Sequence, residues 1–253
     1  MKKLFHAFFM SLSSFTRIPP LYRGWDEEAK KYMPLMLPFV GAIIGGLYFL
    51  LAYLLHLTQL PNMLIALCLL LFPYLITGLM HMDGFCDVVD AKNSYRSLEE
   101  KIRILKDPHI GSFGVLYAIF LILIHFVLLS VLDAETNYLF LIFIPITSRI
   151  MSALSLTLFK KISVSEYNTE EDKNFKTFKI IYFIILLIVV LAIQFIFTKL
   201  YVIVSASIIV LHLFATLIAN HAFKGINGDV SGYAISISEA LSLISLVIMQ
   251  VII

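Results

Sequence analysis

The chain has 253 residues, 60% of them hydrophobic and only 14% charged, and its mean hydropathy of +0.93 lies far above the balance of a soluble globular domain. This is the composition of an integral membrane protein with no room for a separate soluble domain, and a net charge of +2 is too small to point to nucleic acid. Two cysteines, Cys68 and Cys86, cannot build a disulfide framework and read as ordinary buried thiols.

From the N-terminus, Lys2 and Lys3 followed by an apolar run begin like a secretory signal. No small-residue cleavage site follows, however, and Arg17, Pro19 and Pro20 come directly after. Leu4, Phe5, Phe8, Phe9, Leu12 and Phe15 recur at helical spacing, which predicts an amphipathic helix that either lies at the cytoplasmic interface or packs on the bundle. Apolar stretches long enough to cross a bilayer, about 20 residues each, run at roughly 34–58, 60–82, 112–132, 137–158, 177–197, 200–222 and 233–253. The expected fold is all-α: a polytopic bundle of about seven transmembrane helices, forming one integral membrane domain over 1–253.

Basic residues are spread unevenly between these spans. Lys2, Lys3, Arg17, Arg23, Lys30 and Lys31 precede the first; Lys92, Arg96, Lys101, Arg103 and Lys106 separate the second from the third; Lys160, Lys161, Lys173, Lys176 and Lys179 separate the fourth from the fifth. The alternate connections hold only Lys199. The positive-inside rule places the N-terminus in the cytoplasm and the C-terminus outside, with cytoplasmic loops at about 83–111, 159–176 and 223–232. Pro34, Pro38, Gly41, Gly45 and Gly46 in the first span read as packing and kink positions. Ser97-Leu98-Glu99-Glu100 resembles a capping box opening a short surface helix, and 160–179 reads as a solvated connection. No internal repeat is evident, which weakens transporter folds built from duplicated halves.

Chemistry concentrates in Met80-His81-Met82-Asp83-Gly84-Phe85-Cys86-Asp87-Val88-Val89-Asp90. Asp83, Asp87 and Asp90 stand at i, i+4 and i+7, within an arc of roughly 60° on a helix. Neighbouring carboxylates on such a face suit bridging by a divalent cation, and oxygen-only ligands favour Mg²⁺ over zinc. The plainer reading is a solvated helix end whose acids pair with Lys92 and Arg96. His81 lies off the arc and either contacts substrate or caps the helix. The segment Arg103-Ile104-Leu105-Lys106-Asp107-Pro108-His109-Ile110-Gly111-Ser112-Phe113-Gly114 brings two cations suited to a diphosphate. Its Gly111 and Gly114 would let backbone amides approach the phosphates, while positive-inside charge and helix punctuation explain the same residues. In Lys224-Gly225-Ile226-Asn227-Gly228-Asp229-Val230-Ser231-Gly232, Gly228 and Gly232 have helix-packing spacing, and Asp229 faces the same side as Asp83 on this topology. Asp229 could complete a metal site or take a proton. Arg149, mid-span in the fourth stretch, and Glu239 in the seventh either contact substrate or pair with each other.

Taken together, these three segments closely resemble the cobalamin synthases, the adenosylcobinamide-GDP ribazoletransferases, and the likeness runs from Phe15-Thr16-Arg17-Ile18-Pro19 through Arg149 to Glu239. The family typically has alanine at Cys86, so no catalytic thiol carries over. It commonly has Gly-Gly and Thr-Gly-Asp where this chain has Lys224-Gly225 and Asn227-Gly228-Asp229, and often Ser-Arg at Pro108-His109. The acids remain intact. The resemblance implies a membrane enzyme of prokaryotes, multi-pass in the cell (inner) membrane with its active site toward the cytoplasm. Its implied reaction is Mg²⁺-dependent transfer of the cobinamide phosphate from adenosylcobinamide-GDP to α-ribazole or its 5′-phosphate, releasing GMP. On that basis Asp83, Asp87, Asp90 and Asp229 are expected as catalytic and metal-binding residues, with His81, Arg103, Lys106, Asp107, Gly111, Gly114, Arg149, Gly228 and Glu239 binding substrate. The expected partners are the two substrates and the lipid bilayer, with a homo-oligomer left open and no nucleic acid. A CDP-alcohol phosphatidyltransferase is the nearest rival, but its motif needs Ala-Arg after Asp-Gly and a further pair of aspartates four apart. Here Phe85-Cys86-Asp87 follows Asp83-Gly84, and Asp87 to Asp90 is a spacing of three. An ion-coupled transporter would gather its polar residues at the membrane midplane, whereas most acids here lie at span ends.

Overall fold

In chain order the helices are α1 (Lys2–Phe15), α2 (Glu27–Lys30), α3 (Met33–His56), α4 (Asn62–Ile76), α5 (Met80–Asn93), α6 (Leu98–Ile104) and α7 (Ser112–Ser130). They continue as α8 (Phe140–Leu158), α9 (Lys173–Thr198), α10 (Val202–Phe223), α11 (Gly228–Leu241) and α12 (Leu243–Ile252). This computed structural model describes residues 2–22, 24–132, 136–162 and 172–252.

α8 lies at the centre, buried along most of its length, with α3, α9, α10 and α11 around it. Small residues permit the closest approach: a Cβ on Gly41 would come within 2.5 Å of the Pro145 carbonyl oxygen, and one on Gly45 would overlap that of Ile142. The order of these contacts makes α3 antiparallel to α8. Packing sorts the molecule into two ends. At one, His56 meets Tyr138, Tyr201 stacks on Phe140, and Gln250 Nε2 donates to Thr136 Oγ1 at 2.8 Å. At the other, Ile162 N–H donates to Ile226 O at 3.0 Å and Ile226 N–H to Lys160 O at 2.8 Å, joining the ends of α8 and α10.

The expected seven spans are not confirmed as seven separate apolar helices. Among the described residues five helical stretches are long and apolar enough to cross a membrane, or six if the α4–α5 pair counts as one. Two features explain the difference. The expected span at 60–82 breaks after Ile76 and bends by 85° into α5, because Gly78 (φ 65°) and Leu79 (φ 66°) both adopt the left-handed conformation that ends a helix. The run Lys173–Phe223 is one apolar stretch of 51 residues, yet it turns back at Lys199 (φ 47°). Phe175 at the start of α9 packs on Tyr32, while Tyr201 at the start of α10 packs on Phe140 at the opposite end.

Other boundaries also move. α5 and α6 occupy most of the expected loop at 83–111, and α11 begins at Gly228, so Gly228 to Gly232 are helical rather than loop. Of the expected connection at 159–176, residues 163–171 lie outside the described residues, and α9 already starts at Lys173. α1 packs on α3, with Phe9 and Leu12 against Val40 and Ile44, and leaves Leu4 and Phe5 exposed. Cys86 is buried as expected, but Cys68 is exposed on α4.

Candidate active site

α5 carries the three aspartates as one helix, so their i, i+4, i+7 spacing becomes a shared face. Its opposite side, with Phe85, Val88 and Val89, packs into a core with Val230 and Tyr233 of α11 and Ala219 and Phe223 of α10. α5 and α11 touch backbone to backbone. A Cβ on Gly84 would lie 2.8 Å from Asp229 O and 2.9 Å from Asp229 Cα, and one on Gly232 would lie 3.2 Å from His81 Cα. Gly232 therefore has the packing role that its spacing suggests. Gly228 does not: it is exposed, and a Cβ there would meet nothing within 4 Å.

This contact brings Asp229 to the α5 acids. Asp87 feels the repulsion of Asp83, Asp229 and Asp90, and Asp229 feels that of Asp83. Asn227 precedes α11 and fixes Asp229: its Oδ1 accepts from Val230 N–H at 3.0 Å, and its Nδ2 donates to Asp229 Oδ2 at 2.7 Å. An Asn just before a helix is a capping signal visible in the sequence, and here the cap also orients a candidate site residue. Asp90 is engaged differently. Its carboxylate accepts from Gly111 N–H at 2.8 Å and Gly114 N–H at 2.9 Å, closing the mouth of α7. The amides of Gly111 and Gly114 are thus bonded to Asp90 rather than open to a phosphate, and Cβ atoms at these glycines would overlap that carboxylate.

None of Asp83, Asp87, Asp90 and Asp229 forms an ion pair among the described residues, so pairing with Lys92 or Arg96 is not seen. Nor do three His, Cys, Asp or Glu side chains there form a ready-made metal-binding group. What the site offers is donor chemistry and charge: clustered, uncompensated carboxylate oxygens, which suit a hard divalent cation.

Arg103 and Lys106 are exposed on and just after α6. Asp107 folds onto its own turn, accepting from His109 N–H at 3.0 Å with His109 Nδ1 2.8 Å away, and these bonds hold its carboxyl below the usual range. Deeper in the bundle, Arg149 of α8 pairs with Glu239 of α11; Ser148 Oγ donates to Glu239 at 2.5 Å and accepts from Arg149 at 2.9 Å. Arg149 Nη2 reaches His81 Nε2 at 3.3 Å, and Ser236 Oγ donates to His81 O at 3.0 Å. Arginine only donates, so His81 Nε2 is the acceptor and its proton sits on Nδ1. These three candidates form one buried network under the first turn of α5. Ser148 and Ser236 complete it, and no sequence signal distinguishes them from other span serines.

A family profile described as Cobalamin-5-phosphate synthase matches residues 7–247. The chain belongs to this family. A Clostridium perfringens protein named adenosylcobinamide-GDP ribazoletransferase is 36% identical over 243 residues, covering 94% of this chain and 96% of its own. Relatives of the same name from Clostridium botulinum and Lachnoclostridium phytofermentans are 36% and 31% identical over 253 residues, covering 97% and 98% of this chain and 98% and 95% of their own. No solved structure matches. Family membership makes the chain a transferase of cobalamin synthesis, in keeping with its apolar helices.

Proposed function

We propose that this chain transfers the cobinamide phosphate of adenosylcobinamide-GDP to a ribose hydroxyl of α-ribazole or its 5′-phosphate, with Mg²⁺, at the cytoplasmic face of a prokaryotic cell membrane. The observation that carries the reading is the backbone contact of Gly84 with Asp229, which sets Asp229 against the helix that bears Asp83 and Asp87, in a chain of this family. A Mg²⁺ ion held by Asp83 and Asp87 would supply charge neutralisation for the diphosphate and the leaving GMP, leaving Asp229 as the base. Asp90 would serve the same end of α5 through its bonds to α7.

In the reaction the ribose oxygen forms a bond to the cobinamide-side phosphorus, and the bond from that phosphorus to the bridging oxygen breaks. The electron pair leaves with GMP. The hydroxyl proton passes to a carboxylate, for which Asp229 is the favoured acceptor because Asn227 holds one of its oxygens and so fixes its orientation. Exposed Gly228 leaves the N-terminus of α11 open to a phosphate, where backbone N–H groups favour negative charge. Arg103 and Lys106 add positive charge on the same side.

The test incubates membranes carrying the protein with adenosylcobinamide-GDP, α-ribazole and Mg²⁺, and follows corrinoid product and GMP. The expected outcome is stoichiometric formation of both, lost on chelation, restored by Mg²⁺, and reduced about 100-fold or more in Asp83→Asn. Absence of product, or full activity in Asp83→Asn, overturns the reading.

A further inference from the structure

Past the last turn of α5 the chain passes through Ser94, Tyr95 and Arg96 into α6, and a cavity of about 230 Å³ opens there, lined by Arg96, Glu100, Arg103 and Ile104. Neither arginine, nor Glu100, forms an ion pair among the described residues. Glu100 occupies the third position of α6, where a glutamate commonly reaches back to the N-cap N–H. Only half of that box is present: Ser97 Oγ accepts from Glu100 N–H at 3.3 Å, while the Glu100 carboxylate makes no return bond among the described residues and lines the cavity instead. Tyr95, the neighbour of Arg96, is 89% exposed and has φ 54°. A large side chain in this left-handed conformation is strained, and such residues cluster at ligand sites.

One carboxylate, two guanidinium groups and an aliphatic wall make a specific chemical request. A carboxylate accepts two N–H donors side by side, a guanidinium stacks on a flat ring or grips a phosphate, and Ile104 offers an apolar surface. Guanine presents N1–H and its 2-amino group on one edge, whereas adenine presents no such pair. Asn93, the last residue of α5, lies six residues beyond Asp87, about 9 Å of helix. The cavity thus follows directly on the end of the helix that bears the acids.

We propose that the Arg96–Glu100–Arg103 cavity is a base-recognition pocket for a guanine nucleotide, with Glu100 as its specificity-determining residue. Its role as the pocket for the leaving nucleotide rests on the transfer reaction above, but base recognition is testable without turnover. The full chain in detergent is titrated calorimetrically with GDP, IDP and ADP in the presence of Mg²⁺; IDP lacks only the 2-amino group. GDP is expected to bind at least about tenfold tighter than IDP or ADP, one good polar contact's worth of discrimination. In Glu100→Gln that preference collapses, whereas Arg96→Ala and Arg103→Ala weaken all three nucleotides alike. Glu100→Ala, checked for an unchanged unfolding midpoint, guards against an effect of the amide. Equal affinity for the three nucleotides in the natural chain, or a GDP preference intact in both Glu100 variants, overturns the pocket. Glu100-dependent GDP binding without any corrinoid product would leave the pocket standing and sink the transfer reaction; turnover without base preference would do the opposite.

Discussion

Asp90 gives its carboxylate to the two amides that open α7, while Asp83, two turns earlier on the same helix, is exposed. The two residues should therefore fail differently. Asp90→Ala removes a capping interaction and should lower stability by about 1–2 kcal/mol, read as a reduced unfolding midpoint in detergent alongside turnover. Asp83→Asn should leave the midpoint unchanged and abolish turnover. A second contrast lies in the membrane-buried pair: Glu239→Ala strands Arg149 and should cost about 3 kcal/mol. The double variant Arg149→Met/Glu239→Leu should cost clearly less, because no buried charge is left alone. Unequal midpoints of the single and double variants are the measurement; equal ones would mean the pair contributes nothing as a pair. Sequence spacing could place the three α5 aspartates on one face, and it did so from the helical period alone. It could not show that Asp90 is committed to α7, since that bond joins residues 21 and 24 positions apart.

At the level of elements, the decisive contact is α5 against α11, where Gly84 and Gly232 replace side chains with backbone. Gly84→Ala must push Asp229 away, since the new Cβ meets its backbone rather than a flexible tip. It should lose about 1–3 kcal/mol and most of the activity together. Gly46→Ala is the matched control, because a Cβ there meets nothing within 4 Å and should be neutral or slightly stabilising by unfolding midpoint. The helices themselves were legible wherever apolar runs are long, as in α3, α7 and α8. The break between α4 and α5 was not. Residues 60–82 read as one apolar run, with Pro73 inside α4 rather than at the break. What ends α4 is a pair of left-handed residues, together with Arg17 N–H donating to Ile76 O at 2.7 Å from the loop after α1. A contact spanning that much chain has no local periodicity to announce it.

Across the whole molecule, charge sorts with the two ends. Ser11 Oγ donates to Met33 O, which ties α1 to the start of α3; Tyr32 meets Phe175; and Lys160 and Lys161 sit beside Ile226, close to Asp229 in the chain. Among the described residues, most basic side chains therefore gather at the acid-bearing end. The far end, marked by His56, Tyr138, Tyr201 and Gln250, has Lys199 in its neighbourhood. Under the positive-inside rule this distribution predicts that the acid-bearing end faces the cytoplasm. α9 and α10 share one apolar run of 51 residues but are antiparallel, in keeping with the two separate stretches read at 177–197 and 200–222, and α4 bends by 85° into α5. With 173–223 crossing twice and α4–α5 once, the expected arrangement has seven passes and puts the C-terminus opposite the N-terminus. Single cysteines introduced as Lys199→Cys and Ser97→Cys, with Cys68 and Cys86 replaced by alanine, put this to a direct test. In intact cells a membrane-impermeant maleimide should label position 199 and spare position 97; inverted vesicles should show the reverse. Labelling of both positions from one side would mean that 173–223 does not cross as two helices, and labelling of position 97 in intact cells would move the acids to the other face.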